Sequence, residues 1–323
     1  MRRVLITGGT GFVGYHLIQF LKSSNVKLTV VSSNSPELRD PAVDYFNVDI
    51  RNADDVRMVM SEVRPNQIYH LAGVSMVGDS WTDPRNTFDV NVIGSYNVFD
   101  AAMSLSSSAR ILNVSTSQVY ASSDSVLTET SPVGPDNPYA ATKAMAELLM
   151  VQYRKFASSG IITARAFNHT GPGQLPSFVL PSFAKQLAEM EAGFIPPVLK
   201  VGNIKVTRDF TDVRDVVVAY CGLLEKGKTQ EIYNVCSGRA VSLADLVEEL
   251  RKNCGTSVKI KVDPARLRSN EPPQVVGDYA KLRTATGWNP EITLERTLKD
   301  LLNYWRTKIM QDSKGRSHRK IVG

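Results

Sequence analysis

Cysteines are few in this chain, and no apolar run is long. The 323 residues include only Cys221, Cys236 and Cys254, an odd and widely spaced set without a CxxC pair. Such a set argues against a disulfide framework and against a zinc site. No apolar run reaches the length of a bilayer-spanning helix, and the first one is too short for a secretion signal. We therefore expect a cytoplasmic protein with no membrane partner and no metal.

Excess charge of either sign is also modest. Lys and Arg number 38 against 32 Asp and Glu, which gives a formal net charge of +6. Several of the cations lie in the stretch 314–320, which we expect to belong to a frayed, solvated tail. This small excess does not predict a nucleic-acid partner, because anionic phosphate ligands explain it equally well.

Short apolar runs alternate with amphipathic stretches over the first two-thirds of the chain. This alternation is typical of a parallel sheet that helices cover on both faces. Right-handed crossovers then give an α/β fold with a doubly wound parallel Rossmann sheet. The predicted strands are residues 4–7, 28–32, 45–48, 67–71, 110–115 and 161–166. The predicted helices between them are residues 14–23, 53–63, 88–104 and 138–156.

The regular alternation of strands and helices ends after Asn168. Glycines and prolines between 171 and 181 and at 196–197 indicate loops. Helices are predicted at 212–224, 242–253, 278–286 and 293–309, with a strand at 232–236 that rejoins the sheet. We expect a Rossmann domain of residues 1–167 plus about 209–236, a smaller α/β C-terminal substrate lobe of 168–208 plus 237–310, and a basic tail of 311–323.

A glycine-rich turn follows the first predicted strand. Gly8, Gly11 and Gly14 are spaced three apart and stand immediately before a predicted helix. Glycines allow a tight turn, a close approach of the backbone to a pyrophosphate, and close packing of the helix on the strand. The helix N-terminus offers free N–H groups and the positive end of its dipole to the anion. The pattern predicts a dinucleotide site.

The end of the second strand lacks an acidic residue. Dinucleotide folds usually read the adenosine ribose with a carboxylate there, whereas this chain has the neutral stretch Ser-Ser-Asn at 32–34. That stretch or Arg39 could hold a 2′-phosphate, so NADP is favoured over NAD without NAD being excluded. Asp49 and Ile50, after the third strand, are placed to meet the adenine, although Asp49 could instead cap the following turn.

Tyr139 and Lys143 stand four residues apart in a predicted helix, so their side chains lie on one face. A nearby ammonium favours the ionised phenol and makes it a usable proton donor or acceptor near neutral pH. The fifth strand ends in Ser115 and Thr116, and ligands of parallel sheets sit beyond the carboxyl ends of strands. Together with the glycine turn, these residues indicate hydride chemistry with a nicotinamide cofactor.

These motifs as a set resemble the extended short-chain dehydrogenase/reductase family that works on nucleotide sugars. Within it, four segments are most similar to the branch that reduces GDP-4-keto-6-deoxy-D-mannose, namely Asn168-His-Thr-Gly-Pro-Gly-Gln174, Lys200-Val-Gly-Asn203, Asn234-Val-Cys-Ser-Gly238 and Leu267-Arg-Ser-Asn-Glu271. The matches extend from residue 4 to about residue 290. They are Thr7-Gly-Gly-Thr-Gly-Phe-Val-Gly14, His70-Leu-Ala-Gly73, Asn91-Val-Ile-Gly94, Val119-Tyr120, Tyr139-Ala-Ala-Thr-Lys143, Arg165-Ala-Phe-Asn-His-Thr-Gly-Pro172, Arg208-Asp-Phe-Thr-Asp-Val213 and Gly287-Trp-Asn-Pro290.

The resemblance implies roles for three residues in catalysis. Tyr139 would donate a proton to the carbonyl oxygen of the keto sugar as hydride arrives from the nicotinamide. Lys143 would hold the nicotinamide ribose and lower the pKa of Tyr139. Thr116 would hydrogen-bond the reacting oxygen, so that developing negative charge meets two donors.

The resemblance also implies two larger sets of contacts. Arg208 and Arg268 would clamp the diphosphate, and Glu271 would either hold a ribose hydroxyl or pair with Arg268. The implied cofactor residues are Gly8, Gly11, Phe12, Val13, Ser32, Ser33, Asn34, Asp49, Ile50, Leu71, Ala72, Gly73, Asn91, Tyr139, Lys143 and Phe167. The implied substrate residues are Ser75, Thr116, Ser117, Asn168, Val179, Arg208, Arg268 and Glu271.

Position 118 discriminates between the reactions of the family. Related 4,6-dehydratases have Glu there and epimerase–reductases have Cys, whereas Gln118 is a neutral amide that cannot take up a proton. Two reactions remain, namely reduction of a 4-keto sugar and 4-epimerisation with tightly held NAD. A non-catalytic NADP-binding sensor or scaffold is opposed by the intact Thr116, Tyr139 and Lys143. The resemblance favours reduction of GDP-4-keto-6-deoxy-D-mannose to GDP-D-rhamnose.

A homodimer is also expected from the resemblance. Family members often pair through the helix that carries the Tyr and the Lys and through the helix before it. The outward face here would include Met145, Leu148, Leu149 and Gln152. The alternative is that this face packs on the sheet of its own chain.

Overall fold

The structure is a computed structural model that describes residues 1–34, 39–105, 109–153, 160–267 and 271–321, with side chains as far as Ser313. Arg268, which the sequence assigns to the substrate site, and residues 154–156 at the end of the predicted helix 138–156 lie outside the described residues. Among the described residues, no helix is long and apolar enough to cross a membrane.

A seven-stranded parallel sheet forms the centre of the larger part. Its strands are β1 (Arg2–Thr7), β2 (Val26–Ser32), β3 (Val43–Asn47), β4 (Gln67–His70), β5 (Arg110–Thr116), β6 (Gly160–Ala166) and, later in the chain, β11 (Ile232–Val235). Their order is β11-β6-β5-β4-β1-β2-β3, and every neighbouring pair is parallel. The predicted doubly wound Rossmann sheet is confirmed. The strand order reverses between β1 and β4, where ligands bind in such folds.

Helices cover both faces of this sheet, because the central strands are apolar on both sides. They are α1 (Phe12–Leu21), α2 (Ala53–Val63), α3 (Val77–Thr82), α4 (Pro84–Phe88), α5 (Ser95–Leu105), α6 (Pro138–Leu148) and α8 (Val213–Lys226). One core includes side chains of α1, α8 and the sheet, and a second core includes those of α2, α5 and the opposite face.

A smaller lobe has its own apolar core and several short strands. Its helices are α7 (Val179–Glu191), α9 (Leu243–Lys252), α10 (Ala280–Thr286) and α11 (Leu294–Ile321). Its strands are β7 (Asn168–Thr170), β8 (Val198–Val201), β9 (Thr207–Arg208), β10 (Phe210–Asp212), β12 (Val241–Ser242), β13 (Lys259–Val262) and β14 (Gln274–Val275). Side chains of α7, α9 and α11 fill that core, although α10 packs with α8 on the large sheet. Ser242 caps α9 as predicted and accepts from Asp245 N at 3.1 Å.

Three predicted segments differ in the structure. The helix predicted at 138–156 ends as α6 at Leu148, and a 3-10 helix, Leu149–Tyr153, follows it. The predicted helix 88–104 is interrupted by a π-helical segment, Asp89–Gly94, which places Asn91 at an irregular turn. Segments of this kind are frequent at functional sites. The expected frayed tail is wrong for the backbone, because α11 continues as far as Ile321. The predicted domain boundaries stay predictions.

The glycine turn supplies a test of the fold. A Cβ at Gly14 would lie 2.5 Å from backbone atoms of Gly9, whereas a Cβ at Gly78 would meet no atom within 4 Å. We expect Gly14→Ala to lower the free energy of unfolding by about 1–3 kcal/mol through overpacking. Gly78→Ala should change it by less than about 0.5 kcal/mol. Urea unfolding without cofactor measures the free energy of unfolding of both variants. Equal stabilities of the two variants would contradict the close packing of α1 on the glycine turn.

Candidate active site

The glycine turn has the shape that a pyrophosphate requires. Gly8 has a φ of +69°, and a Cβ there would lie 2.7 Å from the main-chain nitrogen of Ala72. Gly11 is the N-cap of α1, and the cap has no side-chain hydrogen bond and no acidic residue in the first turn. The first N–H groups of α1 are therefore free for an anion. These residues fit the dinucleotide predicted from the sequence.

The end of β2 offers neutral polar groups and one cation. Ser33 and Asn34 are exposed, and Ser32 Oγ accepts from Asn34 N at 3.2 Å. The Arg39 guanidinium lies 5.9 Å from the ring centroid of Tyr45. A 2′-phosphate at this end of β2 would meet no carboxylate from residues 32–34, in agreement with the predicted preference for NADP.

Asp49 and Ile50 lie beyond β3, where the adenine is predicted. The Asp49 carboxylate accepts from Arg51 Nε at 2.9 Å and from Arg51 Nη2 at 2.5 Å. That hydrogen bonding lowers the pKa of Asp49. Asp49 Oδ1 also accepts from Arg51 N at 2.9 Å, so Asp49 does cap the turn that follows it, while Asn52 is the N-cap of α2. Ile50 is buried, and a Cβ at Gly94 would lie 2.6 Å from its Cδ1.

Asn91 fastens the loop after β4 to the helix that carries Tyr139. Its amide accepts from Val74 N at 2.9 Å and donates to Val74 O at 3.2 Å and to Thr142 Oγ1 at 3.0 Å. Both N–H bonds of the amide are therefore used within the protein. Gly73 lies against the same amide, since a Cβ there would be 2.9 Å from Asn91 Oδ1.

His70 connects β1 to the π-helical segment through buried hydrogen bonds. Its Nδ1 lies 2.8 Å from Thr7 Oγ1, and its Nε2 lies 2.8 Å from Ser95 Oγ. Ser95 Oγ in turn donates to Asn91 O at 2.6 Å, so Nε2 of His70 must carry the proton. Burial and the charge of Lys143 lower the pKa of His70 to about 3. A neutral imidazole therefore links Thr7, at the end of β1, to Ser95, which follows the π-helical segment.

Thr116, Tyr139 and Lys143 meet at the carboxyl edge of the sheet, as predicted. Thr116 ends β5, while Tyr139 and Lys143 lie one turn apart on α6, and all three are buried. Burial raises the pKa of Tyr139, and a side-chain hydrogen bond with Thr116 opposes that rise. The expected lowering of this pKa by Lys143 is wrong for the protein alone, because desolvation of the phenolate outweighs the other effects. Tyr139 is therefore protonated at neutral pH.

Two charged residues behind Lys143 were missed from the sequence. Glu147 follows Lys143 by one turn of α6, and Arg165 comes from β6. Arg165 Nη2 lies 2.7 Å from Glu147 Oε2, and both side chains are almost fully buried. Burial lowers the pKa of Lys143 to about 8, and Glu147 opposes that fall. The spacing of four between Lys143 and Glu147 was the available signal.

The predicted diphosphate end contains an ion pair of Arg208 with Glu271. Arg208 Nη2 lies 3.2 Å from Glu271 Oε1, and Arg208 also donates to Thr207 O at 2.8 Å. Asn168 is exposed at the start of β7 and pairs in register with Phe210. Glu271 thus has an arginine partner other than the predicted Arg268.

Other predicted site residues occupy varied environments. Phe167 is buried among Tyr120, Leu127 and Cys236, and its main-chain N–H donates to Val235 O at 2.9 Å. The Phe12 ring stacks on His169, with centroids 6.3 Å apart. Partly buried positions are occupied by Val13, Leu71, Ala72 and Val179, whereas Ser75 is exposed and Ser117 is buried.

Gln118 has an oriented amide. Its Oε1 accepts from Asn137 Nδ2 at 3.2 Å, while Asn137 Oδ1 caps α6 by accepting from Ala140 N at 2.9 Å. Gln118 is exposed. Because its oxygen accepts from Asn137, its NH2 group points away from Asn137. No proton acceptor of carboxylate type is available at this side chain.

Comparisons with known proteins agree with this geometry. The family model for GDP-mannose 4,6 dehydratase matches residues 5–301. GDP-6-deoxy-D-mannose reductase from Pseudomonas aeruginosa is 35% identical over 314 residues, which are 96% of this chain and 99% of that protein. A solved structure of RMD from Pseudomonas aeruginosa complexed with NADPH is 34% identical and has a TM-score of 0.84, covering 95% of this chain and 100% of that one. UDP-glucose 4-epimerase from Thermus thermophilus in complex with NAD is 27% identical, with a TM-score of 0.83 and coverages of 94% and 99%.

The environment of His70 predicts a histidine that does not titrate in the physiological range. With its pKa lowered to about 3, the folded protein should bind no proton at His70 between pH 8 and pH 5. In the unfolded chain this pKa returns to about 6.5, so stability should fall as the pH drops from 6.5 towards 3. Ring resonances of His70, assigned by their loss in His70→Gln, should stay fixed from pH 8 to 5 and should titrate in urea. A midpoint above pH 5 in the folded protein would contradict the buried network.

Proposed function

The chain belongs to the GDP-mannose 4,6-dehydratase family of extended short-chain dehydrogenases/reductases, and from this premise we propose that it reduces GDP-4-keto-6-deoxy-D-mannose to GDP-D-rhamnose with NADPH. The predicted family is confirmed by the match over nearly the whole chain. The observation that carries the choice of reaction is the 35% identity, over 96% of the chain, to the Pseudomonas reductase.

NADPH is the cofactor that the site favours. The neutral residues at the end of β2 would not repel a 2′-phosphate, and the related RMD structure is complexed with NADPH. The N-terminus of α1 and the turn around Gly8 and Gly14 would hold the pyrophosphate, and Lys143 would hold the nicotinamide ribose. Bound NADPH would supply the hydride for C4 of the sugar.

The side chains of the protein supply the proton and bind the oxygen. Tyr139 carries its proton at neutral pH because burial raises its pKa, which is the form that a proton donor needs. Its hydroxyl is hydrogen-bonded to that of Thr116, so a carbonyl oxygen that replaced this hydrogen bond would meet two donors. Preorganised donors of this kind stabilise the negative charge that develops on the oxygen.

At the sugar end, Arg208 and Glu271 are proposed to contact the nucleotide diphosphate and its ribose. Arg208 is only 11% exposed and is oriented by Glu271. A guanidinium can bind a diphosphate with two parallel hydrogen bonds. Asn168, Ser75 and Val179 stay proposed contacts of the sugar or the diphosphate.

Gln118 weighs against the dehydratase reaction that the family model's name suggests. That reaction needs a base to remove a proton from the sugar ring, and the amide of Gln118 cannot act as one. A 4-epimerase remains the second candidate, because the Thermus epimerase shares the fold and its reaction needs no further base. The two candidates differ in whether reduced cofactor is consumed.

The direct test mixes the protein with NADPH and GDP-4-keto-6-deoxy-D-mannose. Absorbance of NADPH should fall in proportion to the product formed, and NADH should be used less well. Interconversion of sugar epimers without loss of NADPH would overturn the proposal in favour of the epimerase.

Tyr139→Phe tests the assigned proton donor. We expect the rate to fall by about 10²–10⁴-fold, since the positioned acid is lost. Stability should change little, because the ring still fills its buried place. The control is Tyr15→Phe, which removes the hydroxyl of a tyrosine that is 57% exposed on α1 and should retain full activity. Undiminished turnover by Tyr139→Phe would exclude this residue as the acid.

We also propose that the protein is a cytoplasmic homodimer. Four apolar side chains of the π-helical segment, α5 and α6 are exposed to solvent, namely Ile93, Tyr96, Met145 and Leu148 at 40%, 41%, 45% and 70%. Exposed apolar patches of this kind mark interaction sites. Leu149, from the predicted face, instead packs against the core of its own chain.

Light scattering tests the pairing. The native protein should have twice the chain mass of 35.6 kDa, and Leu148→Glu should shift it towards the monomer. Met58→Glu alters a residue that is 53% exposed on α2 and should leave the dimer intact. A native monomer would refute the pairing.

A further inference from the structure

Glu147 and Arg165 form a buried ion pair, and Glu147 lies one turn after Lys143 on α6. Neither residue has a role in the reaction proposed above. Arg165 Nε lies 3.0 Å from Glu147 Oε1, and Arg165 Nη2 lies 2.7 Å from Glu147 Oε2, so the guanidinium binds the carboxylate with two hydrogen bonds. Their side chains are only 4% and 6% exposed. Three elements meet in this pair, because Ser115 of β5 also donates to Glu147 Oε1 at 2.5 Å.

Stability alone does not explain such a pair. Burying two charges costs several kcal/mol per ion, and an apolar pair of the same volume is often as stable or more stable. This pair carries a further cost, since Arg165 Nη1 is buried and finds no hydrogen-bond partner within the described part of the chain. The guanidinium lies instead over the Tyr120 ring, 4.6 Å from its centroid.

The position of the pair relative to Lys143 is its informative feature. Glu147 follows Lys143 by four residues on α6, so the two side chains are neighbours on one face of the helix. Arg165 contacts Glu147 from β6, so a second positive charge acts on the same carboxylate. Glu147 is therefore ion-paired with Arg165, while its charge also acts on the buried ammonium one helical turn away.

Other groups around Lys143 contribute little charge. On its own helix, Tyr139 is protonated at neutral pH because burial raises its pKa. From β4, His70 is neutral because burial lowers its pKa to about 3. From the loop after β4, Gly73 is the neighbour, with an added Cβ 3.7 Å from Lys143 Nζ, and the adjoining Asn91 amide is uncharged. Glu147 is then the carboxylate whose charge favours the protonated form of Lys143.

We propose that Glu147 and Arg165 form a positioning pair that sets the charge of Lys143, with Glu147 favouring the ammonium and Arg165 moderating it. Neither residue touches the reacting atoms. The inference rests on the proposed function for its catalytic meaning, because Lys143 must be charged to hold the ribose. Its test measures Lys143 itself and needs no substrate.

The test follows the ¹³Cε chemical shift of Lys143 against pH in protein labelled at lysine. The resonance is assigned by its loss in Lys143→Met. Glu147→Gln should lower the titration midpoint by about one unit, since an attracting charge is lost and the Arg165 charge is left unopposed. Arg165→Met should raise it by about one unit, since Glu147 then acts on Lys143 alone.

The two variants break the same ion pair and should both be destabilised, so a packing effect would not move the titration midpoint of Lys143 in opposite directions. Opposite shifts of this midpoint therefore indicate an effect of charge. Trp288→Phe is the matched control. It removes the hydrogen bond from Trp288 Nε1 to Asp215 O, 3.0 Å long and on α8, and should lower stability without moving the midpoint. Shifts in the same direction in both variants, or no shift in either, would overturn the inference.

A double variant covers the case in which Arg165→Met does not fold. Glu147→Gln with Arg165→Met leaves no unpaired charge, so its midpoint should lie above that of Glu147→Gln alone. Equal midpoints would overturn the inference. Where the protein does reduce the sugar ketone, the upper limb of the kcat–pH profile should move with the midpoint. A failed reductase assay would leave the titration of Lys143 as a separate result.

Discussion

Burial of an ammonium group is the constraint on which the rest of this site depends. Lys143 lies almost out of contact with water, and burial by itself favours loss of its proton. The carboxylate of Glu147 opposes that loss, and it is itself held by Ser115 and Arg165. One functional charge thus requires a chain of partners from α6, β5 and β6.

Three other polar side chains of the site are uncharged, namely those of His70, Tyr139 and Gln118. His70 is kept neutral and links Thr7, at the end of β1, to Ser95, at the start of α5, through two hydrogen bonds. Tyr139 is kept protonated by its own burial. Gln118 has a neutral amide at the position where a carboxylate could act as a base. Reduction of a ketone needs one proton donor and one hydride source, and Tyr139 is the proton donor that we propose for this arrangement.

Much of this could be predicted from the sequence, because some signals are local. The glycine spacing before α1, the Tyr139–Lys143 spacing on α6 and the apolar strands each depend on a few neighbouring residues. The doubly wound parallel sheet followed from general rules for alternating strands and helices. The same local patterns brought Thr116 to the edge where Tyr139 lies.

Other features depend on contacts that spacing does not encode. Arg165 lies 18 residues from Glu147, and nothing in either segment shows that they pair. The pKa of Tyr139 was expected to fall because its lysine neighbour was evident, while the depth of its burial was not. The π-helical segment could not be seen either, since its residues fit a helical pattern and the irregular turn arises where Asn91 reaches Val74.

The central claim is that this site transfers hydride once to C4 of a sugar ketone and supplies a proton from Tyr139. The most direct measurement uses NADPH with deuterium at the transferable position and GDP-4-keto-6-deoxy-D-mannose in ordinary water, with the product analysed by NMR. One deuterium per molecule should appear at C4 of GDP-D-rhamnose, with one equivalent of NADP formed. A product without deuterium at C4, or a C4 epimer formed with no oxidised cofactor, would contradict the account.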